Sequence, residues 1–308
     1  MAIVTIDGGR SARLVDRDQL RFRSHGRRFA APAHLELDVP TPPESCDWSL
    51  GDTLVYPGLG NSRVGDCFYC ACAHASQTYT GNAGATCSFN EDALVSRYLQ
   101  IAGGDNGLTD GQMIPEWKAG IVGPDGPHRV ISCLTVDIRD VTSLLLAVWA
   151  FGGALWTAAL SRRWLDTATP GAVWDAETPD VRYGHAMHIS GYSPVAAEHH
   201  RFAVETWGLA PPVQVTYRGL LSAQSEVIVA FSCDQFTRNG FSAFTGRDWE
   251  FMRQLWQRCG GRDVGPSPFA PAPAPAPAPA PPVPAPPAPA PLPTLDIVLG
   301  TIRAAFQN

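Results

Sequence analysis

Asn61-Ser62-Arg63-Val64-Gly65-Asp66-Cys67-Phe68 is the stretch on which the reading of this chain turns. From Phe68 to Thr80, alanines stand at 71, 73 and 75 with aromatic residues spaced for burial, and Gly81-Asn82 ends the run. That pattern predicts a helix with Cys67 in its first turn. A helix N-terminus presents unbonded amide N–H groups and partial positive charge, and both favour thiolate over thiol. Far downstream lie Gly184-His185-Ala186-Met187-His188-Ile189-Ser190-Gly191-Tyr192 and then Glu205-Thr206-Trp207-Gly208. A cysteine with a distant histidine, followed by a polar residue able to orient it, is the order expected of nucleophilic cysteine catalysis.

Working outward, a second helix is predicted from its cap at Asn90 through Leu94, Val95, Tyr98 and Leu99 to Gly103. A third follows Asp110 through Ile114 and Trp117 to Gly120. The apolar stretch from Leu144 to Leu160, broken by Gly152-Gly153, reads as a buried helix leading into a strand rather than a membrane span. Strand-like runs then dominate: 130–136, 154–160, 185–192, 202–207, 213–217 and 227–231. Helices first and strands later predict an α+β protein with two lobes.

In this order the segments resemble the papain-like cysteine peptidases, in a divergent form of bacterial or phage type, from about Asp47 to about Phe231. The matches are Asp47-Trp48 before the loop, Asn61 six positions before Cys67, and Phe68 after it. Asp110-Gly111 with Trp117 to Ile121, the His185 strand, and Glu205-Thr-Trp-Gly in place of Asn-Ser-Trp-Gly complete the set. The resemblance implies a papain-like two-lobed fold, a helical lobe followed by an antiparallel β-barrel-like lobe. It also implies a peptidase working through an acyl-enzyme, with Cys67 as nucleophile, His185 as base, Glu205 orienting the imidazole, and Asn61 with the Cys67 amide holding the oxyanion. Asp110, Gly111, Gly184 and Trp207 would line the substrate. Three positions depart from the family: Asn61 is one methylene shorter than the usual Gln, Glu205 stands for Asn, and Val64 replaces a disulfide cysteine. A carboxylate at 205 still accepts the imidazole N–H and favours imidazolium, so a thiolate and imidazolium pair is expected.

The same residues have plainer readings. Cys70, Cys72, Cys87, Cys133, Cys233 and Cys259 read as small buried apolar residues. Cys67-x-x-Cys70 with His74 lacks the second pair a zinc finger needs, so no metal and no cofactor is expected. His188, three residues beyond His185, falls on the opposite strand face and reads as structural; His199-His200 read as a polar turn. Asp66 would oppose a thiolate if it pointed inward, so it is expected to face solvent or bond the loop backbone.

Composition bounds the partners. The 308 residues are 45% hydrophobic, with a formal charge of −6 and no basic cluster, which argues against nucleic acid. No signal peptide or transmembrane segment is seen, so a cytoplasmic or virion-associated setting with reduced thiols is expected, and no membrane partner. The expected division is 1–45 an N-terminal extension, 46–262 the papain-like domain with lobes at about 46–129 and 130–262, 263–293 a Pro/Ala-rich linker, and 294–308 a short amphipathic helix. The linker cannot form helix or sheet and should be extended. Leu295, Leu299, Ile302 and Phe306 share one face of the terminal helix and suit docking to a protein partner. Besides a peptide or protein substrate, two alternatives stand: an inactive papain-like binding or assembly module, and an amidase or acyl transferase using the same nucleophile.

Overall fold

The computed structural model describes residues 3–6, 10–14, 27–32, 41–49, 54–195 and 199–269. The Pro/Ala repeat and the 294–308 helix lie outside them. In chain order the strands are β1 (Ile3–Ile6), β2 (Arg10–Leu14), β3 (Arg28–Phe29), β4 (Cys46–Asp47), β5 (Ile121–Gly123), β6 (Gly126–His128), β7 (Val130–Val136), β8 (Ala154–Ala159), β9 (Val173–Trp174), β10 (Tyr183–Val195), β11 (His199–Glu205), β12 (Val213–Thr216) and β13 (Ser225–Ser232). The helices are α1 (Cys67–Asn82), α2 (Glu91–Ala102), α3 (Asp110–Ala119), α4 (Val141–Ala150), α5 (Arg162–Thr167), α6 (Tyr217–Ser222) and α7 (Trp249–Arg258).

Helices α2 and α3 form where their caps dictate. Asn90 accepts from the N–H of Ala93, and Gly103 closes α2 at φ 65°. Thr109 and Gln112 make a capping box at the start of α3, and Gly120 ends it. The run from 144 to 160 resolves into α4 and β8, turned by Gly152 and Gly153, both at positive φ.

One sheet runs β3-β7-β13-β8-β10-β11-β12-β9, with β2 and β4 also pairing to β10 and β1 to β2. Its β3–β7 and β12–β9 pairs are parallel. It is open, and no closed barrel forms among the described residues, so the expected barrel-like lobe is a sheet that does not close. The reason lies at its ends: β3 and β9 are two-residue strands that finish the sheet rather than meet.

Alternation along the central strands builds a core on each face. Trp156, Met187, Val227, Val229 and Phe231 pack with Leu144 and Val148 of α4 and Met252 and Trp256 of α7. Leu155, Ala186, Ile228 and Ala230 pack instead with Phe68, Tyr69 and Ala73 of α1 and Met113 and Trp117 of α3. Helix α1 therefore lies on the sheet face to which Ala186 of β10 points. Phe29, from the N-terminal extension, is buried in the first core against the rings of Phe151 and Trp256.

Four tryptophans form an aromatic ladder through that core. Trp156 meets Trp164 at 6.2 Å, Trp164 stacks parallel on Trp174 at 5.3 Å, and Trp174 meets Trp207 edge-on at 6.2 Å. Its last rung reaches the candidate site.

Candidate active site

Cys67 opens α1 and is partly exposed, whereas Cys70 and Cys72 in the same helix are fully buried. Burial pushes the thiols of Cys70 and Cys72 well up, so both stay protonated. Cys70 donates to the carbonyl of Leu59 at 3.3 Å, tying the preceding loop to the first turns of the helix. That loop coils tightly: Leu59 and Gly60 have φ of 50° and 97°, and the N–H groups of Arg63 and Val64 both reach the Gly60 carbonyl. Asn61, 2% exposed, sits within it, and its N–H donates to Gly58 O at 2.9 Å. Gly65 N–H donates to Asp105, whose carboxylate also takes the hydroxyl of Tyr98 at 2.6 Å. The loop before Cys67 is thus bonded both to α1 and to the segment between α2 and α3.

Across from it, β10 carries two histidines on opposite faces. His188 points at α1, where its Nε2 lies 3.0 Å from Thr78 Oγ1; Tyr56 OH meets the same hydroxyl at 2.9 Å. It is structural, as the strand spacing predicts. His185 points the other way. Its ring stacks on Trp207 at 4.4 Å and 18°, and its Nε2 lies 2.7 Å from Thr206 Oγ1. Nδ1 is buried and has no hydrogen-bond partner among the described residues. Trp207 reaches this position with φ 50°, unusual for a bulky residue, and its carbonyl and the following Gly208 lie against Gly58 of the loop before Cys67. Backbone contact at Gly58 and ring contact at Trp207 therefore join the Asn61 loop to the His185 strand. Cys67 packs on the same apolar cluster as Ala186, the neighbour of His185.

Glu205 is placed differently from the role the resemblance implied. The group on His185 Nε2 is the Thr206 hydroxyl, while the Glu205 carboxylate accepts from Ser190 Oγ at 2.6 Å. Adjacent residues of an extended strand project to opposite sides, so of Glu205 and Thr206 the latter is aimed at the imidazole. Sequence reasoning matched residue type at 205 and missed this alternation. Burial pushes the His185 imidazole down to about 3, so the ring is neutral at pH 7 rather than a standing imidazolium.

Asp110 and Gly111 lie in the first turn of α3, with Asp110 Oδ1 accepting from Gly111 N–H at 2.8 Å. In the loop ahead of them Gly103, Gly104 and Gly107 take positive φ, and the Gly107 N–H donates to Tyr98 OH. Gly184 has both strand edges occupied, by Ala159 of β8 and Arg13 of β2. His199 and His200 open β11 instead of forming a turn, paired with Val195 and Pro194. Asp66 is fully buried, not solvent-facing, and its side chain neither caps α1 nor bonds the loop. Among the described residues no group of three or more His, Cys, Asp or Glu is placed to hold a metal, and no helix is long and apolar enough to cross a membrane.

No protein-family model matches the sequence, and no curated protein does. Solved structures share its fold. Procathepsin L 3 from the larval midgut of Tenebrio molitor superposes with a TM-score of 0.51 over 69% of this chain and 76% of its own, at 13% identity. Xylellain, a cysteine protease from Xylella fastidiosa, gives a TM-score of 0.49 over 62% of this chain and 86% of its own, at 15% identity. The fold is that of the papain-like cysteine proteases, an α+β arrangement with α1 packed on a large sheet.

Proposed function

We propose that this chain is a cysteine peptidase acting on a peptide or protein substrate. One observation carries the reading: a partly exposed cysteine in the first turn of α1, beside a strand whose buried histidine is held at Nε2 and free at Nδ1. With Thr206 accepting from Nε2–H, Nδ1 keeps its lone pair and is the base. On attack the Cys67 proton passes to Nδ1, the sulfur bonds the carbonyl carbon, and the oxyanion falls between the Cys67 N–H and the Asn61 amide. Nδ1–H then protonates the leaving amine, giving an acyl-enzyme. Water attacks that thioester with Nδ1 again as base, and the thiol leaves with its proton restored. Because burial keeps His185 neutral, proton transfer accompanies attack instead of preceding it. Asp110, Gly111 and Gly184 stay candidates for the substrate-lining side.

The depth of His185, 4% exposed, favours a second reading, an inactive module that binds without cleaving. Labelling with a peptidyl epoxide followed by peptide mapping separates the two. Cys67 should be modified at neutral pH well ahead of the other partly exposed thiols, Cys46, Cys133 and Cys233, and His185→Ala should abolish the preference. If Cys67 reacts no faster than Cys233, or its labelling ignores His185, the binding module is the correct reading.

A further inference from the structure

Asp66 stands at the N-cap of α1, where an aspartate ordinarily accepts from the amides of the first turn. It does not. Its side chain is turned inward with no exposed surface, and neither carboxyl oxygen has a hydrogen-bond partner among the described residues. The loop backbone is pressed directly on it: a Cβ on Gly60 would come within 2.7 Å of Asp66 Oδ2 and 2.4 Å of Val95. The residue after Gly60 is Asn61, and the residue after Asp66 is Cys67. One buried carboxyl thus separates the proposed oxyanion donor from the proposed nucleophile.

The groups that face it are the thiol of Cys70 on α1, the carboxylate of Asp105 in the segment before α3, and that of Glu91 on α2. None supplies a positive charge. An ionised, unpaired carboxylate in that position would be very costly, so the side chain keeps its proton. Burial outweighs the lowering effect of the Cys70 thiol and moves its ionisation up to about 8.

We propose that Asp66 is a positioning residue that works as a neutral acid, seating the Gly60–Asn61 loop on the first turn of α1, and that its ionisation switches the Cys67 thiol off. This deepens the peptidase reading and rests on it for the role of Cys67. Two effects act together when the proton leaves. The new charge opposes the positive end of α1 and disfavours the adjacent thiolate. It also draws water into a space that Gly60 now fills, moving the loop that carries Asn61.

The test uses the full chain and Asp66→Asn, which keeps the shape of the neutral acid and cannot ionise. Peptide cleavage and iodoacetamide alkylation of Cys67 are followed against pH, each profile scaled to its own maximum. Wild type should lose cleavage on the alkaline side as Asp66 ionises; the variant's alkaline limb should move up by a pH unit or more, about tenfold in relative rate at the wild-type midpoint plus one. The alkylation profile should shift toward lower pH in the variant. Superimposable profiles overturn the proposal. If the variant does not fold, carboxyl-carbon NMR of wild type labelled at aspartate decides: one resonance titrating near pH 8 supports it, and none beyond the ordinary range of about 4 overturns it. Absent cleavage with a shifted alkylation profile refutes the peptidase reading and leaves the Asp66 switch standing.

Discussion

Thr206 and Asp66 are the two residues whose chemistry depends most on where the backbone puts them. Thr206 holds the imidazole through a single hydroxyl at 2.7 Å, so Thr206→Val should lower kcat/KM about 10- to 100-fold, a fraction of what a positioned base contributes. Glu205→Gln, which preserves an acceptor for Ser190, should cost far less; the reverse order would restore Glu205 to the orienting role. Asp66 bears on stability as well as on rate. Its unfolded carboxyl ionises near 3.8 and its folded one near 8, so its contribution is fully present below 3.8 and is lost as pH rises through 8. Asp66→Asn removes that drain, and urea unfolding at pH 7 should show a gain of roughly 2–4 kcal/mol. A destabilised variant would mean that the carboxyl has partners the neutral amide cannot keep.

At the scale of elements, the junction of α1 and β10 is polar at its centre. Thr78 Oγ1 donates to the His74 carbonyl and meets Tyr56 OH and His188 Nε2, which uses every site a hydroxyl has. Thr78→Val keeps the shape and removes the hydroxyl that Tyr56 OH and the buried His188 Nε2 share, so it should cost about 2 kcal/mol in equilibrium denaturation. A cost under about 1 kcal/mol would mean that the junction is held by its apolar contacts alone. The helices on this side of the sheet were legible from the chain because each carries its own punctuation: Gly81-Asn82 closing the last turn of α1, Asn90 and Gly103 around α2, Gly120 after α3. Helix α7 carried comparable signals in Asp248 and in Trp249, Met252, Leu255 and Trp256, yet it lies beyond the stretch the family resemblance covers and was not read. The two-residue strands β3, β4 and β9 are too short to show a period, and they exist only because a longer neighbour offers an edge. At the site, Cys67 at a helix start and His185 on a strand could be read from local pattern. Thr206 and the inward turn of Asp66 could not, since both are decided by which face of the backbone meets a distant element.

For the molecule as a whole, buried histidines set the acid limit. Burial pushes His74 down to about 4 and His185 and His188 to about 3, so all three are neutral when folded and protonate when unfolded. Their contribution is fully present above the unfolded value of 6.5 and is lost as pH falls below it, by up to about 1.4 kcal/mol per pH unit each. Asp66 works in the opposite sense over the same interval. Wild type should therefore lose about 2 kcal/mol between pH 7 and 5.5, and Asp66→Asn about 4, measured by urea titration at each pH. Equal losses in the two proteins would show that Asp66 is already ionised at neutral pH. His128 does not join this acid limit: burial lowers it, but Asp234, Cys87 and Asp125 more than offset that and hold it up at about 11. The tryptophan ladder turns the same proton chemistry into light. Its terminal ring lies face to face with His185, and an imidazolium formed there quenches the indole it touches through close charge contact. Three further indoles stand within energy-transfer reach of that ring, so excitation on any of them is shared with the indole beside the imidazole. Because His185 stays neutral in the folded protein, emission should hold steady with falling pH until the fold gives way, and quenching ahead of unfolding would show the imidazole charging in place.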